Sequence, residues 1–569
     1  MMLPRRQRPR FTTCILAVLC LLHVNPASSF HGTELLLRRQ QWAISSSRSA
    51  PISAIASDLS TVVTPLLPSP KVGRIVAIVP GDELSSFEHR GSYATWLEVF
   101  EQVGRRVGWT SDACEMRVVT AEAVTAGEAS LNAANVLFAI KILDADTATA
   151  VAEAAMAAAI PTRVALDCAN SLQRITKLGS FRPFSWGGGY QPTAEDGHCS
   201  VADDAVVAAT TPFAVLATKV SGGTPLVETL PDPLRRLLQG GGKRERTAWS
   251  TVLRFYERMT AEDLVFLLLT LVDKFVAPVP QVTGIGRAYG LKEVKCMCTK
   301  CTKQMIDCFG DPECRACINC LEACPPNDQV CAYRCITSYE TPKMEAFSRC
   351  ILQKHNCLGN TAVIPAVPDP PPLVAFRGRP LTFAAAEDLF IGWLGPLQSS
   401  WKVVCGQNPA YDYFPSQHMI FFRGRGRGTF WYDPVFKVFT LDGRAVWRRR
   451  HYRVRAAETP GTFRFSVLDN GVTSNEYWRI VDVAEDLSWG VFYYAGAAAA
   501  AGQAYAGALL VTPDGSWPSD DRMPAVRAAF ARCDIRMWEL SEVDNSDSAG
   551  APLGLPADYI AANNRNVLV

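Results

Sequence analysis

Twelve cysteines crowd the stretch from Cys296 to Cys357, spaced C-x-C-x2-C-x6-C-x5-C-x2-C-x2-C-x3-C-x6-C-x3-C-x14-C-x6-C. Many stand three, four or seven apart, as Cys301 and Cys308 or Cys320 and Cys324 do. On helices those spacings bring sulfurs to one face. A segment of about 65 residues buries too little core to be secure alone, and disulfides between facing helices compensate. Zinc is the competing use, since Cys298/Cys301 and Cys314/Cys317 have C-x2-C spacing. The even count favours crosslinks. The expectation is that Cys296, Cys298, Cys301, Cys308, Cys314, Cys317, Cys320, Cys324, Cys331, Cys335, Cys350 and Cys357 all form disulfides, with no metal. Their pairing is not deducible from sequence.

The N-terminus supports that choice. Four Arg between Arg5 and Arg10, an apolar run from Cys14 to Val24 and the small residues Ala27, Ser28 and Ser29 have the order of a signal peptide, placed at residues 1–29. Phe30 opens a second segment, 30–71. From His31 to Ser57 it carries Arg38, Arg39, Arg48, six Ser and one acid, Glu34, which is transit-peptide composition. The bipartite arrangement resembles the leaders of algae with complex plastids, a route out of the cytosol.

Residues 72–290 read as an α/β domain. Strand-like runs at Arg74–Val79, Val136–Ile142 and Arg163–Cys168 alternate with helical stretches at Tyr93–Val107 and Ala145–Ala159. The first turn, Pro80-Gly81-Asp82-Glu83, carries no nucleotide-binding fingerprint. Gly187–Gly189 and Gly240–Gly242 read as loops, and Leu264–Val272 as a buried helix. The cysteine module spans 293–360 and a Pro-rich linker 361–372. Over 373–545 roughly eight short β-type runs, from Trp401–Cys405 to Ala508–Thr512, are followed by an amphipathic helix at Met523–Leu540. That is the ground plan of a lipocalin-type antiparallel β-barrel with a helix. Residues 546–569 read as a loose tail. The fold class is thus α+β multidomain.

A net charge of +2 supplies no field that would gather nucleic acid. The alternating Arg and Gly of Arg423–Gly428 read as a basic hairpin turn, and Arg448-Arg449-Arg450 as a solvated face. No nucleic-acid partner is expected.

The run Lys295–Asn360 contains Asp311-Pro312-Glu313-Cys314, Cys320-Leu321-Glu322-Ala323-Cys324 and Cys331 through Cys335. It resembles the cysteine-rich domain of the violaxanthin de-epoxidase family, and the resemblance continues through the barrel for roughly 250 residues. The build with a preceding domain is similar to the de-epoxidase-related proteins. Asn408-Pro409-Ala410-Tyr411-Asp412-Tyr413-Phe414, with Gln417 beyond, resembles the family's N-P-x-[FY]-D-x-[FY] segment. Asn475-Glu476-Tyr477-Trp478 resembles its two acids followed by Trp, and Phe492-Tyr493-Tyr494 its aromatic strand. Tyr505 and Gly507 resemble the next strand. Differences stand at Pro415, Tyr477, Ser399 and His418.

The resemblance implies an enzyme acting on epoxy-carotenoids, an oxidoreductase converting violaxanthin to antheraxanthin and zeaxanthin. It would be acid-activated, with ascorbate as reductant and no metal. Asp412, Glu476 and Tyr494 are then the catalytic candidates; Gln417, Trp478, Tyr505 and Tyr411 would bind substrate. A carboxyl group in an apolar barrel stays protonated more readily than in water, as a proton donor to the epoxide oxygen must. The resemblance further implies the thylakoid lumen, a thylakoid lipid surface and a xanthophyll-cycle role in photoprotection; a homodimer is compatible with it. Two alternatives stand beside it: a redox-neutral rearrangement of the epoxide, and a lipocalin that carries pigment unaltered.

Overall fold

The computed structural model describes residues 73–169, 171–172, 184–185, 248, 251–252, 254–255, 258–283, 291–324, 328–391, 401–407, 414–423 and 430–555. The leader, both triple-glycine stretches, residues 424–429, Ser399, Tyr411 and Asp412 lie outside the described residues.

The first strand, β1 (Gly73–Val79), is followed by a hairpin of β2 (Leu84–His89) and β3 (Ser92–Thr95) and by α1 (Trp96–Thr110). Thr95 starts α1 with a capping box: its side chain accepts from Glu98 N, and the Glu98 side chain accepts from Thr95 N. Then come β4 (Cys114–Thr120), β5 (Val136–Ile140), α2 (Ala145–Ala157), β6 (Thr162–Leu166), β7 (Phe184–Ser185) and α3 (Ala261–Phe275). The sheet is parallel, in the order β4-β1-β5-β6-β7. Alternate residues of β1 serve opposite faces. Ile75, Ala77 and Val79 pack with α1 and α3, while Val76 and Ile78 pack with α2. The buried helix expected at Leu264–Val272 is the centre of α3. Strand β4 escaped the sequence reading because it lies at the sheet edge and is mostly half-exposed, so its apolar signal is weak.

The cysteine module is a stack of short helices, α4 (Leu291–Lys300), α5 (Thr302–Phe309), α6 (Pro312–Ala323), α7 (Gln329–Ser338) and α8 (Pro342–Ser348), the last running into a wide turn at Arg349–Lys354. Asp311 and Asp328 cap α6 and α7 by accepting from Cys314 N and Cys331 N. Five disulfides tie the helices: Cys296–Cys357, Cys301–Cys350, Cys308–Cys314, Cys320–Cys335 and Cys324–Cys331. Ten of the twelve sulfurs expected to crosslink are joined in these bridges, and Cys298 and Cys317 are buried among the helices. Burial pushes the Cys317 thiol up to about 11, so it stays protonated. Two groups close enough to hold a metal, Cys301/Cys350/His355 and Cys324/Cys331/Cys335, are built on sulfurs already joined in disulfides.

After a small hairpin, β8 (Ala375–Phe376) and β9 (Arg379–Pro380), and a helix α9 (Phe383–Ile391), the barrel begins. Its strands are β10 (Trp401–Gly406), β11 (His418–Arg423), β12 (Phe430–Phe439), β14 (Tyr452–Ala456), β15 (Thr462–Asp469), β16 (Val472–Val483), β17 (Gly490–Ala498) and β18 (Gln503–Thr512). They are antiparallel neighbours, and pairing of β11 with both β10 and β12 closes the cylinder. Between β12 and β14 a further strand, β13 (Ala445–Arg449), folds back on β12. The expected C-terminal helix is shorter than predicted: α10 covers Met523–Arg532, and β19 (Ser541–Glu542) then pairs with β10.

The tail is not loose where it is described. Ser416 Oγ donates to Asp547 O, Lys437 bonds the Asp547 carboxylate at 2.6 Å, and Leu553 and Leu555 pack against the barrel core. No helix among the described residues is long and apolar enough to cross a membrane.

Candidate functional site

Glu476 and Trp478 lie two apart on β16 and therefore point the same way, into the barrel. Register decides what they meet. Glu476 stands beside Gly496 of β17, which stands beside Tyr505 of β18. In the next row Trp478 stands beside Tyr494, which stands beside Gly507. Each row contains one glycine, and each glycine is the space into which a tyrosine leans. A Cβ on Gly496 would lie 2.5 Å from the Tyr505 ring, and one on Gly507 would lie 2.8 Å from Tyr494 Oη. Only glycine permits that approach.

The result is a carboxyl group gripped on both oxygens. Trp478 Nε1 donates to Glu476 Oε2 at 2.6 Å, and Tyr505 Oη donates to Oε1 at 2.7 Å. Glu476 is 5 % exposed. Burial holds its carboxyl above the usual carboxylate range. The bonds from Trp478, Tyr505 and Tyr452 and the charge of Arg450 pull the other way without cancelling it. An acid in this setting keeps its proton more readily than a solvated one.

The cavity beside Glu476 has a volume of about 40 Å³, and its wall includes Gln417, Tyr432, Arg450, Trp478, Tyr494 and Tyr505. It holds little more than a water molecule. Around it the interior is lined with aromatic side chains, Tyr432 and Phe465 packing against Trp478. At one end Phe390 of α9 stacks on Phe421 and meets Phe463 and Phe492 edge-on. Arg423 pairs with the buried Asp388 of α9 at 2.6 Å.

The other end is covered by the cysteine module. Tyr333 of α7 packs on Phe414 and Phe436. The guanidinium of Arg450 lies 4.5 Å from the Tyr333 ring centre and pairs with Asp469 at 2.8 Å. Arg448 is bound to Glu340 and Arg449 to Asp433. The three arginines read as a solvated face are thus corrected: each is engaged, and Arg448 and Arg450 fasten the module to the barrel.

Of the residues picked from sequence, the structure brings Glu476, Gln417, Trp478, Tyr494 and Tyr505 together around one cavity. Gln417 is held there by donating to Phe414 O at 2.8 Å. Tyr411 and Asp412 lie outside the described residues. His418 faces Trp447 and does not line the cavity; burial and the Lys402 charge push its pKa down to about 4. Arg450, Tyr452 and Tyr432 were missed. The only available signal was spacing, since Arg450 lies two residues before Tyr452, the first residue of β14.

A closed eight-stranded antiparallel meander, plugged by a helix before its first strand and flanked by a helix after its last, is the architecture of a lipocalin. Residues 293–545 match the family described as the VDE lipocalin domain. In sequence the chain is similar to violaxanthin de-epoxidase, chloroplastic, from Spinacia oleracea, being 23% identical over 129 residues, which are 22% of this chain and 25% of that protein. The chain therefore spans about a quarter of that relative's length. Among solved structures it is similar to lobster apocrustacyanin A1 (11% identity, TM-score 0.21, 32% of this chain and 95% of that one). It is also similar to the bovine lipocalin allergen Bos d 2 (6% identity, TM-score 0.20, 26% and 92%). The family match thus covers the cysteine module and the barrel, and the α/β domain before them lies outside it.

Proposed function

We propose that this protein binds an epoxy-carotenoid and opens its epoxide by acid catalysis, with Glu476 as the proton donor. The observation that carries the reading is the buried Glu476 carboxyl, held above its ordinary pKa between Trp478 and Tyr505. Protonating the epoxide oxygen makes it a leaving group, and a donor with a raised pKa is still loaded at mildly acidic pH. In the reductive form of the reaction ascorbate supplies two electrons and the second proton, the two C–O bonds of the epoxide break, its oxygen leaves as water and a C=C bond forms, and ascorbate leaves as dehydroascorbate. Tyr494 and Trp478 would flank the ring, and Gln417 would orient its oxygen; Asp412 is proposed as a further catalytic group and Tyr411 as a further substrate-binding one. The chloroplast named for the spinach relative and the bipartite leader together support a plastid protein. The disulfides support an oxidising compartment there, the thylakoid lumen or its lipid surface.

The test is to incubate the oxidised, full-length protein with violaxanthin in galactolipid at mildly acidic pH, with and without ascorbate. Loss of one oxygen mass only with ascorbate is the expected result. An isomer of unchanged mass would mean a redox-neutral rearrangement. The lipocalin match supports a second reading, a barrel that carries pigment without altering it. That reading requires pigment binding with no product at any pH, and binding unaffected by Glu476→Gln.

A further inference from the structure

An acid that gives up a proton in each turnover must be reloaded, and Glu476 is buried within the barrel. The barrel wall offers a route. Tyr505 Oη donates to Glu476 Oε1 at 2.7 Å, and Ser474 Oγ lies 2.8 Å from the same Tyr505 Oη. Ser474 is two residues before Glu476 on β16, so both side chains issue from one face. Ser474 lies nearer the β15–β16 turn and is only half-buried. A carboxyl, a phenol and a hydroxyl thus form an unbroken line from the closed interior to the rim. Trp478 Nε1 holds the other carboxyl oxygen, but an indole N–H is donor only and cannot pass a proton along.

We propose that Ser474 and Tyr505 form a proton relay that reloads Glu476 from solvent. The proposal rests on the reading of Glu476 as the acid. When Glu476 has protonated the substrate oxygen, the Tyr505 O–H bond breaks toward Oε1. The hydroxyl proton of Ser474 moves to Tyr505 Oη, and a solvent proton restores Ser474. One proton enters, both hydroxyls end as they began, and nothing is oxidised or reduced.

Ser474 acts through Tyr505 and is a positioning and relay residue, so its test needs a readout that packing alone would not move. Ser474→Ala and Ser474→Thr are compared with wild type in the full-length protein, using violaxanthin in galactolipid with ascorbate, in H2O and D2O. Ser474→Ala is expected to lower kcat about tenfold with KM changed by less than about twofold, and to enlarge the solvent isotope effect. A small diffusible acid, acetic acid, should restore part of that loss. Ser474→Thr keeps the hydroxyl and should behave as wild type. An unchanged kcat and isotope effect in Ser474→Ala overturns the relay, as does a threonine variant as impaired as the alanine one. A wild-type protein that binds pigment without turnover overturns the acid reading, and the relay with it.

Discussion

At the scale of single residues, the barrel uses two glycines to place two tyrosines. Gly496→Ala would drive a methyl to 2.5 Å from the Tyr505 ring, which must swing off Glu476. A loss of about 1–3 kcal/mol is expected from such overpacking, read as a lower denaturant midpoint. Glu476→Gln should lower turnover by about a hundredfold or more while leaving the fold intact. Its effect on stability has a definite sign. The folded-state pKa of Glu476 is raised, so the native state keeps a proton that the unfolded chain has lost. Stability from this group is greatest below the unfolded value and falls as pH rises toward the folded one. Glu539 pushes the same way, since burial raises it to about 7 despite Arg106. Thermal midpoints should therefore be higher near pH 5 than near pH 8, and Glu476→Gln and Glu539→Gln should each flatten that slope. The motif Asn475-Glu476-Tyr477-Trp478 makes Glu476 and Trp478 legible in the chain itself. Arg450 is not, because a run of three arginines reads as solvent-facing until their partners Glu340, Asp433 and Asp469 are placed opposite them.

At the scale of elements, the cysteine rhythm announced a helical module, and α4 to α8 form it. The partners could not be read, because pairing depends on which helices face each other. The crosslinks should differ in strength of effect. Cys296–Cys357 closes a separation of 61 residues and Cys308–Cys314 one of 6. By chain entropy, replacing the first pair with serines should cost about 4 kcal/mol and replacing the second about 2 kcal/mol. Calorimetry of the two double variants checks the order. Barrel strands were found wherever a short apolar run stood between turns. Strand β13 was passed over because its five residues, Ala445–Arg449, include two arginines and none is fully buried. The C-terminal helix was overdrawn because α10 ends at Arg532 and the apolar residues beyond it, Ile535 and Met537, pack in a tight turn instead.

At the scale of the whole molecule, the α/β domain is seated on the barrel by buried polar contacts that no local pattern could foretell. Arg106 of α1 pairs with Glu262 at 2.7 Å within its own domain and with Glu539 of the barrel segment at 2.9 Å. Gln102 Nε2 donates to Glu539 as well, and Phe87 meets Trp538 edge-on. With its amide turned to satisfy both groups, Gln407 at the end of β10 accepts from the Arg106 guanidinium at 2.8 Å. Arg106→Met should strip a buried carboxylate of its partner and cost about 3–5 kcal/mol, visible as earlier thermal unfolding. The blocked floor of the barrel has a consequence for any rod-like pigment carrying an epoxide at each tip. With Phe390 wedged among Phe421, Phe463 and Phe492, such a rod cannot thread through and emerge below. Under the proposed epoxide chemistry it would have to back out and reverse before its second tip could react, and half-converted pigment would then accumulate ahead of the finished product.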